Sequence, residues 1–179
     1  MIECEVKFSV RDLGDVKDRV IRLGGKHIAS VYEEDVFYQH PCRDFRASDE
    51  ALRIRVTEDY IELTYKGPKI TSRAKVREEL TVRMDKHCFN AIAGILDRLG
   101  FKRVADVRKR REMYRLGDYI ICLDDVEGLG SFIEIEYSGE ASVEEAVSKL
   151  MKMADMLGVK GKPIVKSYLE LLLEKGKFS

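Results

Sequence analysis

The segment RLGGKHIASVYEEDVFY at residues 22–38 recurs without gaps as RLGFKRVADVRKRREMY at residues 98–114. Seven of the seventeen positions are identical, and the two copies lie 76 residues apart. The same spacing superposes the strand-like stretch before each copy, with Glu3 on Glu79. Each copy passes from a helical period through Leu-Gly to an alternating, strand-like pattern. The sequence therefore predicts two related halves, each made of a strand, a helix and a run of strands.

Four segments carry apolar side chains at helical spacing: 12–24, 86–99, 142–157 and 164–174. Alternating segments lie between them, which indicates strands. Two such halves predict an α+β fold, a closed or nearly closed antiparallel β-barrel of about eight strands with the helices packed outside and a pseudo-twofold internal repeat. No linker divides the chain, so we expect a single domain over residues 1–179, with halves at approximately 1–76 and 77–179.

The composition excludes several classes of protein. The chain has 32 basic and 32 acidic residues, so no net charge attracts nucleic acid or anionic lipid. Its four cysteines are widely spaced and form no C-x-x-C pair, which is typical of reduced thiols rather than a disulfide frame or a zinc site. Apolar runs are too short to span a membrane and no signal-peptide pattern opens the chain, so we expect a cytoplasmic protein.

Charged and apolar residues alternate along most of the predicted strands, as in IECEVKF at residues 2–8. A sheet with one wet face gives the same alternation. The amphipathic helices, however, need an apolar sheet face and must lie outside the barrel, so the charged face is expected to turn inward. The interior would then hold an acidic set, Glu3, Glu5, Glu62, Glu79, Asp124, Glu134 and Glu136, and a basic set, Lys7, Arg53, Arg55, Lys66, Arg77, Lys109 and Arg111.

So many buried charges imply a hydrated tunnel that is filled by a ligand, because isolated buried charges are very costly. Carboxylates bind hard divalent cations such as Mg²⁺ or Mn²⁺, whereas guanidinium and ammonium groups bind phosphate oxygens. The two sets together indicate a polyanion bound with its metal ions.

These motifs resemble the CYTH family of triphosphate tunnel metalloenzymes, which includes class IV (CyaB-type) adenylyl cyclases, thiamine triphosphatases and inorganic triphosphatases. The E-x-E-x-K hallmark corresponds to residues 3–7, and the paired basic strand to ALRIRV at 51–56. LDDVEGLGSFIEIE at 123–136 resembles the segment that supplies the late carboxylates, and SYLELL at 167–172 resembles the C-terminal helix motif. The likeness spans nearly the whole chain and is greatest to the small archaeal proteins of the cyclase type.

The resemblance implies a role for each matching residue. Metal binding would fall to Glu3, Glu5, Asp124, Glu134 and Glu136, with Mg²⁺ or Mn²⁺ as the cofactor. Catalysis would involve Lys7 with Glu3 and Glu5. Binding of the triphosphate would fall to Arg53, Arg55, Lys66, Arg77, Glu79, Lys109, Arg111 and Lys166.

The sequence is compatible with three functions. The first is a class IV-like cyclase that converts ATP to cyclic AMP and pyrophosphate. The second is a triphosphatase acting on inorganic or thiamine triphosphate, and the third is a sensor that binds nucleotides or polyphosphate without catalysis. The His-Phe pair that precedes E-x-E-x-K in some class IV cyclases has no counterpart before Glu3. The loops at 39–50 and 67–75 would place the organic end of the substrate. We expect no nucleic acid or membrane partner, and a homodimer is possible.

Overall fold

The computed structural model describes residues 2–70 and 74–176, except for the side chains of Ile2, Glu3 and Lys75. Eight strands and four helices follow one another along the chain as β1 Ile2–Ser9, α1 Leu13–Arg22, β2 Lys26–Gln39, β3 Ala51–Val56, β4 Tyr60–Lys66, β5 Lys75–Asp85, α2 Phe89–Arg98, β6 Lys102–Leu116, β7 Tyr119–Val126, β8 Gly130–Tyr137, α3 Val143–Met156 and α4 Tyr168–Glu174. A 3₁₀ turn, Lys86–Cys88, precedes α2. Each predicted helical segment contains one helix.

The eight strands form a closed barrel in the order β1-β5-β4-β3-β2-β6-β7-β8, and every pairing is antiparallel. The repeat relates β1, β2, β3 and β4 of the first half to β5, β6, β7 and β8 of the second. When each strand is replaced by its counterpart, the order of strands around the barrel is unchanged except that it runs in the opposite direction, as a twofold axis perpendicular to the barrel axis requires. The predicted barrel and its pseudo-twofold repeat are therefore confirmed. The approximate division at residues 76 and 77 falls just inside β5, which begins at Lys75.

The strand register locates the pseudo-twofold axis. Ile2 of β1 pairs with Glu78 of β5, and Glu33 of β2 pairs with Lys109 of β6. Both pairs join residues 76 positions apart, so in each pair a residue faces its own counterpart from the other half. The axis therefore crosses the barrel through these two pairs, perpendicular to the barrel axis.

The first helix of each half ends in the same way. Leu23 and Leu99 are the C-cap residues of α1 and α2, and Gly24 and Gly100 follow them with φ angles of 90° and 89°. Glycine accepts this left-handed conformation without a steric penalty, which explains the repeated Leu-Gly.

Three helices cover apolar outer faces of the barrel. Helices α1 and α3 pack over β1, β7 and β8, where Val20, Leu150 and Ile135 are buried in one cluster. Helix α2 packs over β2, β3 and β4, and its Leu96 contacts a second cluster that contains Ile54. Burial of these apolar faces outside leaves the alternate, charged side chains pointing inward.

No helix in the described residues covers the outer face of β5. Leu80 and Val82 on this face are 55% and 58% exposed, whereas their counterparts in β1, Cys4 and Val6, are 7% and 1% exposed. The difference arises because α3 follows β8 in the second half, whereas the next element after β4 in the first half is β5 itself.

Helix α4 occupies a different position from the other three. Its Tyr168 and Leu172 are buried with Phe37, Val107 and Phe132, which are carried by the inward-facing positions of β2, β6 and β8. This helix therefore contributes side chains to the barrel interior as well as covering it. No helix in the part of the chain that the structure describes is long and apolar enough to cross a membrane.

Candidate active site in the barrel interior

A cavity of about 1120 Å³ runs inside the barrel. Eleven of the residues singled out from the sequence line it: Glu5, Arg53, Arg55, Glu62, Lys66, Arg77, Glu79, Lys109, Arg111, Glu134 and Glu136. They come from six different strands, and alternation along each strand turns them to the same side. The inward orientation of the charged faces is therefore confirmed.

Two carboxylates on β2 that the sequence analysis did not select form the centre of the basic cluster. Asp35 accepts hydrogen bonds from Arg55 Nε at 2.7 Å and Nη2 at 2.8 Å, and lies 3.3 Å from Lys109 Nζ. Glu33 Oε2 lies 2.9 Å from Lys109 Nζ and 3.1 Å from Arg55 Nη2. Both carboxylates are only 3% exposed.

These ion pairs control the ionisation of the two acids. Burial by itself would raise the pKa of Glu33, but Arg55, Lys109 and Arg111 outweigh it and lower the pKa to about 2. The pKa of Asp35 is likewise held well below its usual range, against burial, by Arg55, Lys109 and Arg53. Both groups are therefore anionic, and they hold the surrounding guanidinium and ammonium groups in place.

The second half contains the same bidentate pair with the charges exchanged. Asp35 is the register partner of Arg55, and Arg111, the repeat counterpart of Asp35, is the register partner of Asp124. Arg111 donates to Asp124 Oδ1 from Nε at 2.7 Å and to Oδ2 from Nη2 at 2.5 Å. Arg111 Nη2 also lies 2.5 Å from Glu134 Oε2.

A group of carboxylates lies beside these cations. Glu5 of β1 and Glu136 of β8 are register partners, so their side chains project side by side into the cavity. Burial, and then the neighbouring charges of Glu5 and Glu79, raise the pKa of Glu136. Crowded carboxylates of this kind are stabilised by a hard divalent cation, so Glu5 and Glu136 are the described residues best suited to hold one.

The other predicted metal ligands have different surroundings. Asp124 is fully buried and its oxygens are occupied by Arg111 and by the Tyr168 hydroxyl. The prediction for Glu3 concerns a side chain that lies outside the described part of the structure. The backbone of Glu3 is the register partner of Arg77. Among the side chains that the structure does describe, no three Asp, Glu, His or Cys groups are arranged to hold an ion.

The remaining predicted cations differ in their placement. Lys7 is fully buried, with Nζ 3.8 Å from Glu134 Oε1 and 3.9 Å from the centre of the Tyr168 ring. Lys66 forms an ion pair with Glu79 at the cavity wall. Lys166 is not brought into this site: it is exposed and forms an ion pair with Glu174 at 2.6 Å.

Sequence reasoning missed Glu33, Asp35 and Tyr168. The first two could have been found from the repeat, because a spacing of 76 places them on Lys109 and Arg111, which were already assigned to the interior. Tyr168 belongs to the SYLELL motif, but apolar spacing alone does not distinguish a helix outside the barrel from one that inserts a side chain. Cys122 also lies in the interior beside these groups, where burial raises the pKa of its thiol to about 12 and keeps it protonated.

A closed antiparallel barrel with opposed acidic and basic side chains around an internal cavity defines the structural class of the protein. Residues 1–168 match the family model of the CYTH domain. The chain therefore belongs to the CYTH family.

Individual relatives agree with this assignment. The chain is 39% identical to "Putative adenylate cyclase MJ0240" of Methanocaldococcus jannaschii, over 96% of this chain and 98% of that protein. The solved structure of the PH1819 protein from Pyrococcus horikoshii has a TM-score of 0.88 and 43% identity, covering 97% of this chain and 99% of that one. A second solved structure shares the fold at 20% identity and a TM-score of 0.70, covering 97% of this chain and 96% of that one. It is the Hippeastrum protein named "Putative adenylyl cyclase HpAC1", for which a dominant triphosphatase activity is described.

Proposed function

We propose that the protein is a metal-dependent enzyme that binds the triphosphate group of its substrate inside the barrel. The observation that carries the proposal is the interior itself, where Arg53, Arg55, Lys66, Arg77, Lys109 and Arg111 face one cavity together with Glu5, Glu134 and Glu136. A triphosphate supplies the anionic oxygens that the cations need, and carboxylates beside it match the metal ions that triphosphates carry.

Several features favour a built anion site over a set of structural ion pairs. Arg53, Arg77 and Lys109 are all buried side chains in the wall of a cavity large enough for a triphosphate. Glu33 and Asp35 hold three cations on one side and remain fully ionised, so the arrangement is formed before the substrate arrives. Preorganised charges of this kind stabilise negative charge in the transition state without rearrangement.

The carboxylates fit a Mg²⁺ or Mn²⁺ site. Glu5 and Glu136, with Glu3 and Glu134, would hold the ion, which would supply neutralisation of phosphate charge and polarise the bound phosphoryl oxygens. In this arrangement Asp124 supports Arg111. The observation in favour of this fit is geometric: Glu5 and Glu136 are register partners, and both line the same cavity as Glu79 and Glu134.

Arg53, Arg55, Lys109 and Arg111 would bind the phosphate chain and neutralise the charge that develops on the leaving phosphates. Lys7, fully buried beside Glu134, would contribute a further positive charge at the reacting end. In a cyclase, the ribose 3′-hydroxyl attacks the α-phosphorus and pyrophosphate leaves. In a triphosphatase, water attacks a terminal phosphorus.

We place the class IV-like cyclase reaction on ATP first because the chain matches the Methanocaldococcus protein named "Putative adenylate cyclase MJ0240" over 98% of that protein's length. Hydrolysis of inorganic or thiamine triphosphate is the second candidate, favoured by the activity described for the Hippeastrum protein of the same fold. Phe45 and Arg46, from the loop after β2, line the cavity and offer a stacking and a charged contact to an organic group.

Incubation of the purified protein with Mg²⁺ or Mn²⁺ and each of ATP, inorganic triphosphate and thiamine triphosphate, followed by identification of the products, tests the proposal. Cyclic AMP with pyrophosphate supports the cyclase, and release of phosphate supports the hydrolase. Replacing Glu134 and Glu136 with alanine should abolish the metal-dependent turnover, and the matched control Glu140→Ala, an exposed residue after β8, should not. Binding of triphosphate without turnover of any substrate would contradict the enzyme and leave a binding module.

A further inference from the structure

Tyr168, the first residue of α4, reaches into the interior and contacts the acidic partner of Arg111. Its side chain is buried, and its hydroxyl donates a hydrogen bond of 2.7 Å to Asp124 Oδ2. The same oxygen accepts from Arg111 Nη2, and Oδ1 accepts from Arg111 Nε. The carboxylate is therefore held by the tyrosine on one side and by the guanidinium on the other.

Arg111 lies near three carboxylates, so the hydrogen bond from Tyr168 to one of them affects which carboxylate the guanidinium pairs with. Besides Asp124, its Nη2 lies 2.5 Å from Glu134 Oε2 and its Nε lies 4.0 Å from Glu33 Oε2. A carboxylate that is fixed by a second donor keeps its two oxygens in the plane of the guanidinium, which favours the bidentate pair. The Tyr168 hydroxyl thus biases Arg111 toward Asp124.

The ring of Tyr168 contributes in a second way. Lys7 Nζ lies 3.9 Å from the ring centre and Lys109 Nζ lies 5.5 Å from it. The ring therefore lies against two ammonium groups carried by β1 and β6, at distances within the range of cation–π attraction.

The rest of α4 is fixed at the rim of the barrel. Ser167 and Glu170 form a capping box at the start of the helix. Glu170 also lies 3.5 Å from Lys69 Nζ, and Lys69 forms an ion pair with Asp49 in the loop after β2. These contacts fix the start of α4 and therefore the direction in which Tyr168 points.

We propose that Tyr168 is a positioning residue for triphosphate binding, acting through Asp124 on Arg111. The inference rests on the proposed function of the cavity. If instead Tyr168 only fills space, removal of its hydroxyl would leave the anion affinity unchanged, because phenylalanine retains the ring and its packing.

The test compares Tyr168→Phe with the intact protein in a calorimetric titration with inorganic triphosphate. We expect binding to weaken about tenfold, as for loss of one hydrogen bond to a charged group in a preorganised site. The matched control is Tyr137→Phe, which removes a hydroxyl that accepts from Lys149 at 2.5 Å on the outer face. This control should change the affinity less than about twofold, and thermal unfolding of both variants confirms that they are folded.

A double-mutant cycle separates positioning from a general packing effect. In an Arg111→Lys background the Tyr168→Phe change should have little further effect, because the side chain that the tyrosine orients is already altered. Titration to millimolar triphosphate keeps the weakened complexes measurable. Multiplicative losses in the double variant, or an unchanged affinity in Tyr168→Phe, would overturn the inference while leaving the proposed function intact. Failure of the intact protein to bind or turn over any triphosphate would overturn both.

Discussion

Glu33 and Lys109 are equivalent residues of the two halves, and they form an ion pair with each other across the pseudo-twofold axis, with Nζ 2.9 Å from Oε2. An exact twofold would place identical side chains, and hence identical charges, at this point. Two like charges would repel each other here, whereas Glu33 and Lys109 attract. The pair lies where β2 and β6 are hydrogen-bonded to each other in the barrel wall.

This pair predicts a large effect of Glu33 on stability. Glu33→Gln would leave Lys109 and Arg55 buried beside a neutral amide, so we expect a loss of about 3 kcal/mol in the free energy of unfolding. Glu34→Gln is the matched control, because the adjacent side chain faces outward toward Arg103 and Arg108, which are partly exposed. That change should cost within about 0.5 kcal/mol. Urea denaturation at neutral pH measures both, and equal losses would contradict the assignment of Glu33 to the interior.

The lowered pKa of Glu33 predicts how stability depends on pH. The pKa falls from an ordinary value of 4.5 to about 2 in the folded protein. The folded state therefore binds this proton more weakly than the unfolded state, and the stabilisation is present above pH 4.5 and is lost as the pH falls toward 2. Between pH 4.5 and 3, unfolding free energies should fall less steeply for Glu33→Gln than for the intact protein and Glu34→Gln. Parallel slopes in all three would exclude the shift.

The uncovered face of β5 gives a matched pair of core and surface substitutions. Val6 lies beneath α3 and is 1% exposed, whereas its counterpart Val82 is 58% exposed. Val6→Ala should reduce the free energy of unfolding by about 2 kcal/mol, because it leaves a cavity in a packed core. Val82→Ala should change it by less than about 0.5 kcal/mol. A comparable loss from Val82→Ala would mean that another surface covers β5 in solution.

The carboxylate group predicts a metal requirement. Chelation of divalent ions should abolish turnover, and added Mn²⁺ should restore it. Glu136→Gln should raise the Mn²⁺ concentration needed for half-maximal activity by at least about tenfold, because it removes one charge from the ligand set. Glu140→Gln, which alters an exposed residue beyond the end of β8, is the control. Full activity in the presence of the chelator would contradict the metal site.

Much of the barrel could be predicted because its determinants are local. Alternation along strands, the repeated Leu-Gly and the 76-residue spacing each depend on neighbouring residues or on comparison of the chain with itself. These patterns place Arg53, Glu79 and Lys109 inside without reference to tertiary structure. Register is what the sequence could not supply: it decides that Asp124 meets Arg111 while Glu136 meets Glu5.

Helix α4 illustrates a second limit. Its apolar spacing is the same as that of a helix lying on a sheet, so the sequence predicts a helix outside. Tyr168 enters the interior because the preceding segment hydrogen-bonds to the barrel, where Ile164 N donates to Lys7 O at 2.7 Å, and Ser167 then caps the helix. Lys166 precedes this cap and remains in solvent, which the motif alone did not indicate.

The exchanged pairs Asp35–Arg55 and Arg111–Asp124 bear on the orientation that the proposed triphosphate substrate would take in the cavity. A triphosphate is a nearly symmetric chain, and a barrel with true twofold symmetry would accept it equally well in either of two opposite orientations. Carboxylate and guanidinium have changed places between the halves. A triphosphate bound in the reverse orientation would therefore have a carboxylate where the first orientation has a guanidinium. The duplicated backbone thus forms the cavity, and the unequal charges of the two halves would favour a single orientation of the bound triphosphate.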